Sequence, residues 1–206
     1  MNLLKLICVF FALLLTACAP SNVSQMNPEN HTFEPNTEQN ASHMKPKGSA
    51  SSKTSWEISG AIAARNSKKG WSASLDWVQQ GANQYQIRLL GPFGGGSVMI
   101  EKHGAMIHYL DGPKKIASND ADQLLQQQTG TRLPVKNLFY WVRGLPAPGP
   151  VQLTHRDSNG HLTELIQSGY KISYSNYTTV NQIDLPGKIQ LQGHDVMIKL
   201  VIKRWR

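Results

Sequence analysis

Tyr85–Lys102 reads YQIRLLGPFGGGSVMIEK, two apolar alternations around a glycine-rich turn. Tyr85, Ile87 and Leu89 alternate with Gln86 and Arg88, the period-2 pattern of a half-buried strand. A second alternation runs from Ser97 to Glu101, so a second strand follows. Between them, Gly91-Pro92-Phe93-Gly94-Gly95-Gly96 supplies the strand breakers of a hairpin connection. Glycine and proline belong in such a turn, whereas a phenylalanine does not. Fenced by glycines and a proline, Phe93 has little of its own chain to pack against. Either the ring folds back as a plug over the end of the sheet, or it is an apolar finger held out to a membrane or a partner. A large exposed apolar group generally marks an interaction.

Outward from the hairpin the same habit continues. Trp71, Ala73, Leu75 and Trp77 share one face, opposite Ser72, Ser74 and Asp76. Met106, His108 and Leu110 alternate with Ile107 and Tyr109. Later runs cover Leu162 to Gln167, Tyr170 to Tyr174, Ile189 with Leu191, and Val196 to Ile202. Turn signals at Gln80-Gly81, Asn159-Gly160, Ser168-Gly169, Pro186-Gly187 and Gly193 separate them. Short strands at this spacing predict a mainly β domain over 56–206, an antiparallel barrel or strongly curved sheet. Two short helices interrupt it. Asn119 is placed to cap Asp120 to Thr129, with Gly130 as the stop. Pro134 opens a second helix in which Val135, Leu138, Phe139 and Val142 fall at i, i+3, i+4 and i+7, beside Trp141, before Gly144 and Pro146 end it.

The chain begins with Lys5, an apolar run through Leu15, and Thr16-Ala17-Cys18. This is a secretory signal, residues 1–17, too short to be read as a spanning helix. Leu15-Thr16-Ala17-Cys18 also resembles the lipobox of bacterial lipoproteins. That resemblance implies cleavage before Cys18, a diacylglyceryl thioether on its sulfur and an acyl group on the new amine. With Ala19 in place of an aspartate, it points to the outer membrane. Cys8 leaves with the signal, so no thiol remains for a disulfide, metal or nucleophile. Residues 18–55 are Ser, Asn, Pro, Gln, Thr and Lys with almost no large apolar side chains. They predict a flexible tether with a root-mean-square reach of roughly 30–35 Å.

Catalytic patterns are missing. Gly94-Gly95-Gly96 lacks the lysine and following helix of a phosphate loop, there is no G-x-S-x-G, and His103 and His108 are poorly spaced for one metal ion. Asp120 and Asp122 fit a helix start better than an acid/base pair. The reading is therefore of a non-enzyme without cofactor or metal. The net charge of +8 raises nucleic acid as a partner, but scattered basic residues on an exported chain fit anionic headgroups or an acidic protein better.

Ser59-Gly60-Ala61-Ile62-Ala63, Leu75-Asp76-Trp77-Val78-Gln79, Leu90-Gly91-Pro92-Phe93-Gly94, Trp141-Val142-Arg143-Gly144-Leu145-Pro146, Leu185-Pro186 and Trp205 occur in that order. Together they resemble the LolB family of outer-membrane lipoproteins, which receive and insert other lipoproteins. The resemblance implies a half-open antiparallel β-barrel with a helical lid, enclosing an apolar cavity for acyl chains. Trp77, Trp141 and Trp205 match tryptophans of the family's cavity region, where Leu89 and Ile100 are also expected, whereas the family's tryptophan near Tyr170 is replaced by that tyrosine. The turn Gly91, Pro92, Phe93, Gly94 matches the family's membrane-insertion loop, whose tip is usually leucine. A LolA-like periplasmic carrier, lipoprotein cargo and the inner leaflet of the outer membrane are the implied partners of a monomer anchored by Cys18. The rival reading is a lipid-anchored envelope module that binds a small hydrophobic ligand.

Overall fold

The computed structural model describes residues 50–52, 54–91 and 96–206; Cys18 and the tip residues Pro92, Phe93 and Gly94 lie outside them. The chain opens with a meander of six strands: β1 (Ser55–Asn66), β2 (Gly70–Gln80), β3 (Gln84–Leu90), β4 (Ser97–His103), β5 (Met106–Asp111) and β6 (Lys114–Ser118). Helices α1 (Ala121–Thr129) and α2 (Val135–Trp141) follow, then β7 (Val151–Arg156), β8 (Leu162–Gln167) and β9 (Tyr170–Ser175). A small separate ladder of β10 (Thr178–Val180) and β11 (Ile183–Leu185) precedes β12 (Lys188–Gly193) and β13 (Val196–Trp205).

All strands but β10 and β11 form one 11-stranded sheet in the order β6-β5-β4-β3-β2-β1-β13-β12-β9-β8-β7. Every neighbouring pair is antiparallel. β13 returns to β1 and so joins the two halves at the centre. The end strands β6 and β7 do not pair with each other, so the sheet stays a half-open barrel. Between them the chain runs through α1 and α2, whose apolar residues join the buried core of the sheet. None of the described helices is long and apolar enough to cross a membrane.

The alternations set which face is inside. β3 buries Tyr85, Ile87 and Leu89 and exposes the residues between them; β13 buries Val196, Ile198, Leu200 and Ile202 in the same way. In β5 the inward set is Ile107 and Tyr109, while Met106 is exposed. β3 and β4 pair from Gln84↔His103 to Leu90↔Ser97, and the Gly91 N–H donates to the Gly96 carbonyl at 3.1 Å to close the turn. The bend has a local device at the centre. The β1–β13 register slips between Ser59 and Gly60, where a Cβ on Gly60 would run into the Val201 carbonyl oxygen. Only glycine fits a bulge this close to its neighbour.

The cap of α1 differs from the expectation. Asp120, not Asn119, is the N-cap: its backbone is extended and its side chain accepts from the Gln123 N–H at 3.0 Å. Ser118 Oγ accepts the Asp120 N–H at 3.0 Å and steadies it. Asn119 is exposed, one residue too early to reach the first turn. Gly130 ends α1 in the left-handed region, φ 68°, with its N–H on the Gln126 carbonyl. In α2, Val135, Leu138, Phe139 and Trp141 are buried, as is Val142 just beyond it.

Candidate functional site

Two aromatic clusters organise the interior. Trp56 of β1 is the hub of the first: its ring lies 4.9 Å from Trp77, 5.8 Å from Trp205 and 6.3 Å from Phe139 of α2. Register explains the meeting, since Ile58 is paired with both Trp77 and Trp205 across the two neighbouring strands. Trp141 belongs to the second cluster, edge-on to Tyr170 at 5.6 Å. Tyr170 thus supplies the aromatic partner of Trp141.

Each indole that donates a hydrogen bond does so to a fixed acceptor. Trp77 Nε1 donates to Gln79 Oε1 at 2.8 Å, and Gln79, also buried, donates in turn to the Gly81 carbonyl. Trp141 Nε1 donates to Gln167 Oε1 at 2.9 Å. Gln167, fully buried on β8, also accepts from the Ala147 N–H and donates to the Ala147 carbonyl. Trp205 Nε1 donates to the Pro186 carbonyl at 3.0 Å. These three polar edges are spoken for, whereas Trp56 Nε1 is buried without a partner; the ring faces present apolar surface.

Arg143 follows the same economy at the end of α2. It is 3 % exposed, donates from Nε to the Phe139 carbonyl and from Nη1 to the Ala50 carbonyl, and lies 4.3 Å over the Phe139 ring. Burial holds it below the ordinary arginine value. Burial also pushes the Tyr85 phenol up, with the nearby Asp122 carboxylate adding to the shift. Asp122, in the first turn of α1, is itself raised by burial, partly offset by the Val135 N–H bond.

A hollow of about 550 Å³ opens beside α2, between the β2–β3 and β4–β5 turns. Its apolar surface comes from Tyr85, Ile107, Val135 and Phe139, and Lys102 and Lys136 also line it. A second hollow of about 410 Å³ shares Ala82, Phe139 and Tyr140 with the first and continues to Arg143 and Pro146. The first lies within the range of roughly 300–1,000 Å³ typical of ligand sites.

The residues expected in the cavity are all core residues. Trp77 is 2 % exposed, Ile100 1 %, Trp141 0 %, and Leu89 and Trp205 7 % each. The structure brings Trp77 and Trp205 together through Trp56, and sets Leu89 and Ile100 on adjacent strands, but holds Trp141 apart in its own cluster. None of the five lines the 550 Å³ hollow. Gly91 closes the β3–β4 turn; Pro92, Phe93, Gly94 and Cys18 fall outside the described residues. The reading of the sequence missed Trp56, Phe139 as a hollow residue, and the two buried glutamines. Trp56-x-Ile58 followed by Ile62-x-Ala64 carried the signal for β1. Among the described residues, no three His, Cys, Asp or Glu side chains are grouped to hold a metal ion.

The model of the family described as "Outer membrane lipoprotein LolB" matches residues 54–205. The chain is 40 % identical over 152 residues to the outer-membrane lipoprotein LolB of Coxiella burnetii (strain RSA 493 / Nine Mile phase I), covering 73 % of this chain and 71 % of that one. It is 34 % identical over 208 residues to the outer-membrane lipoprotein LolB of Stutzerimonas stutzeri (strain A1501), covering 100 % and 97 %. Among solved structures it resembles a LolA superfamily protein, NE2245 from Nitrosomonas europaea, at a TM-score of 0.49 and 11 % identity, over 75 % of this chain and 86 % of that one. A likeness so slight carries no weight beside the sequence matches. By the family match and by both relatives, the chain belongs to the LolB family of outer-membrane lipoproteins.

Proposed function

We propose that this protein accepts lipoproteins from a LolA-like periplasmic carrier and inserts them into the outer membrane. The observation that carries the reading is the open sheet whose two free edges are bridged by α1 and α2, with aromatic residues and an apolar hollow between sheet and helix. Exposing an acyl chain to water costs about 0.8 kcal/mol per methylene, so a triacylated protein needs such shelter in transit. An acyl chain first meets Tyr85, Ile107, Val135 and Phe139 in the hollow. As α2 gives way, it reaches Trp77, Leu89, Ile100, Trp141 and Trp205 behind them. No step needs covalent chemistry, and cargo moves toward successively better apolar surroundings.

Residues 1–17 act as the signal, a lipid on Cys18 as the anchor to the outer membrane, and the segment to about residue 55 as the tether. The turn Gly91, Pro92, Phe93, Gly94 meets the bilayer. Phe93 fully buried contributes only about 1.5–3 kcal/mol, enough to orient the domain without anchoring it.

The test mixes the mature Cys18→Ala protein with carrier loaded with a single lipoprotein. Cargo should pass to the Cys18→Ala protein and quench or shift its tryptophan emission. A protein that leaves all cargo on the carrier, or one that binds small hydrophobic probes yet never competes for lipoprotein, contradicts the reading.

A further inference from the structure

We propose that the end of the sheet where β3 turns into β4 is a docking surface for an anionic phospholipid bilayer, with lysines of the neighbouring turns meeting headgroup phosphates. The inference rests on the reading that this end faces the membrane, and adds the chemistry of the lipid it selects.

Antiparallel register fixes which turns share that end. Leu90 is paired with Ser74 and Ser97, so the start of β2 and the β1–β2 turn lie beside the β3–β4 turn. That turn carries Lys68 and Lys69, both exposed. On the other side Val98 is paired with Asp111, which places the β5–β6 turn with exposed Lys114 and Lys115 at the same end. Leu90 is 41 % exposed there, a large apolar residue at the root of the hairpin.

The charges around it are one-sided. Lys114 Nζ donates to Gln128 on α1, and the Lys69 side chain lies against Gly130 at the C-terminus of α1; neither neighbour is a carboxylate side chain. Lys68 and Lys115 engage no carboxylate among the described residues. The carboxylates at this end are Asp111 and Asp195, the latter already accepting from Ser67 Oγ at 2.8 Å. The opposite end is mixed: Arg206 lies 3.7 Å from Glu57, while Lys102 and Lys136 line the hollow there. An exposed apolar residue at an end whose turns carry four lysines fits a surface of phosphates over hydrocarbon. An acidic protein would match the lysines but give Leu90 nothing to enter.

The experiment uses the mature full chain with Cys18→Ala, so that binding is read without the lipid anchor. It measures cosedimentation with phosphatidylcholine vesicles, with and without phosphatidylglycerol. The parent should prefer the anionic vesicles, and added salt should erase the preference. Lys68→Gln with Lys115→Gln should weaken binding to them by roughly tenfold or more, with unchanged melting. Lys68→Arg with Lys115→Arg should restore it. Equal binding to both vesicles, or a glutamine variant that binds as the parent does, overturns the proposal. So does a glutamine variant that keeps vesicle binding but takes cargo poorly from the carrier, which assigns the lysines to a protein. The underlying reading fails separately: Phe93→Glu with normal binding and delivery sinks the apolar contact while leaving the lysine effect standing.

Discussion

At Gly60 the bend of the sheet comes down to one missing methyl group. The register slip there brings β1 against the Val201 carbonyl of β13, at the centre of the sheet. Gly60→Ala forces the two central strands apart and should cost about 3 kcal/mol, the upper end of the ordinary range for a point substitution; denaturant melts of the two proteins measure it. Asp122 is the reverse case, a residue that costs stability. Burial raises its carboxyl above the ordinary value, so the folded state holds a proton that the unfolded chain releases, and stability falls as pH rises from the ordinary carboxylate range through the folded value. Asp122→Asn removes that loss. Its melting temperature should exceed the parent's at neutral pH and converge with it in acid, where Asp122 is protonated in both states. A gain that persists unchanged at low pH would count against burial as its cause.

Among the elements, α2 depends most on a single buried side chain of the sheet. Gln167 holds Trp141 of α2 and both polar groups of Ala147 beyond it. Gln167→Leu keeps the bulk but leaves those groups unpaired, at about 1–3 kcal/mol for each that water cannot reach. The variant should melt well below the parent and leak acyl-chain probes faster, and stability equal to the parent's would show that α2 is held by packing alone. Which elements the sequence revealed follows from the same physics. β3 and β4 were legible because one face is buried and the other wet, and α2 because its apolar residues recur at helical spacing. β1 was not: Ser59-Gly60-Ala61 is small and leaves a gap in the alternation that Trp56, Ile58, Ile62 and Ala64 keep in phase. β7 is an edge strand whose residues are mostly exposed, so it carries no apolar signature. The cap of α1 was misplaced by one residue because Asn119 and Asp120 are both competent caps. The hollow draws Tyr85, Ile107, Val135 and Phe139 from β3, β5 and α2, a meeting that no local pattern announces. Trp77, Trp141 and Trp205 were singled out through family resemblance, and the hub Trp56 was not.

For the whole molecule, the proposed function assigns the two ends of the sheet different work. The hollow opens at the end carrying the β2–β3 and β4–β5 turns, and the β3–β4 turn lies at the other. A domain that takes cargo at one end and touches the membrane at the other needs a tether long enough to let it reorient. If Cys18 is the anchor, Cys18→Ala carried by an ordinary signal should leave the domain folded and free in the periplasm; tight fractionation with membranes would reveal a second anchor. The central claim, that reception and delivery are separate acts of one carrier domain, is tested most directly by following one labelled lipoprotein from carrier to protein to vesicle in the Phe93→Glu variant. A charge at that tip is penalised where it must enter hydrocarbon. The variant should melt within about a degree of the parent, accept cargo at the parent's rate, and fail to release it into bilayers, while Phe93→Leu delivers nearly as well as the parent. A well-folded Phe93→Glu protein that delivers normally, or one that melts several degrees lower and cannot accept cargo, would contradict it.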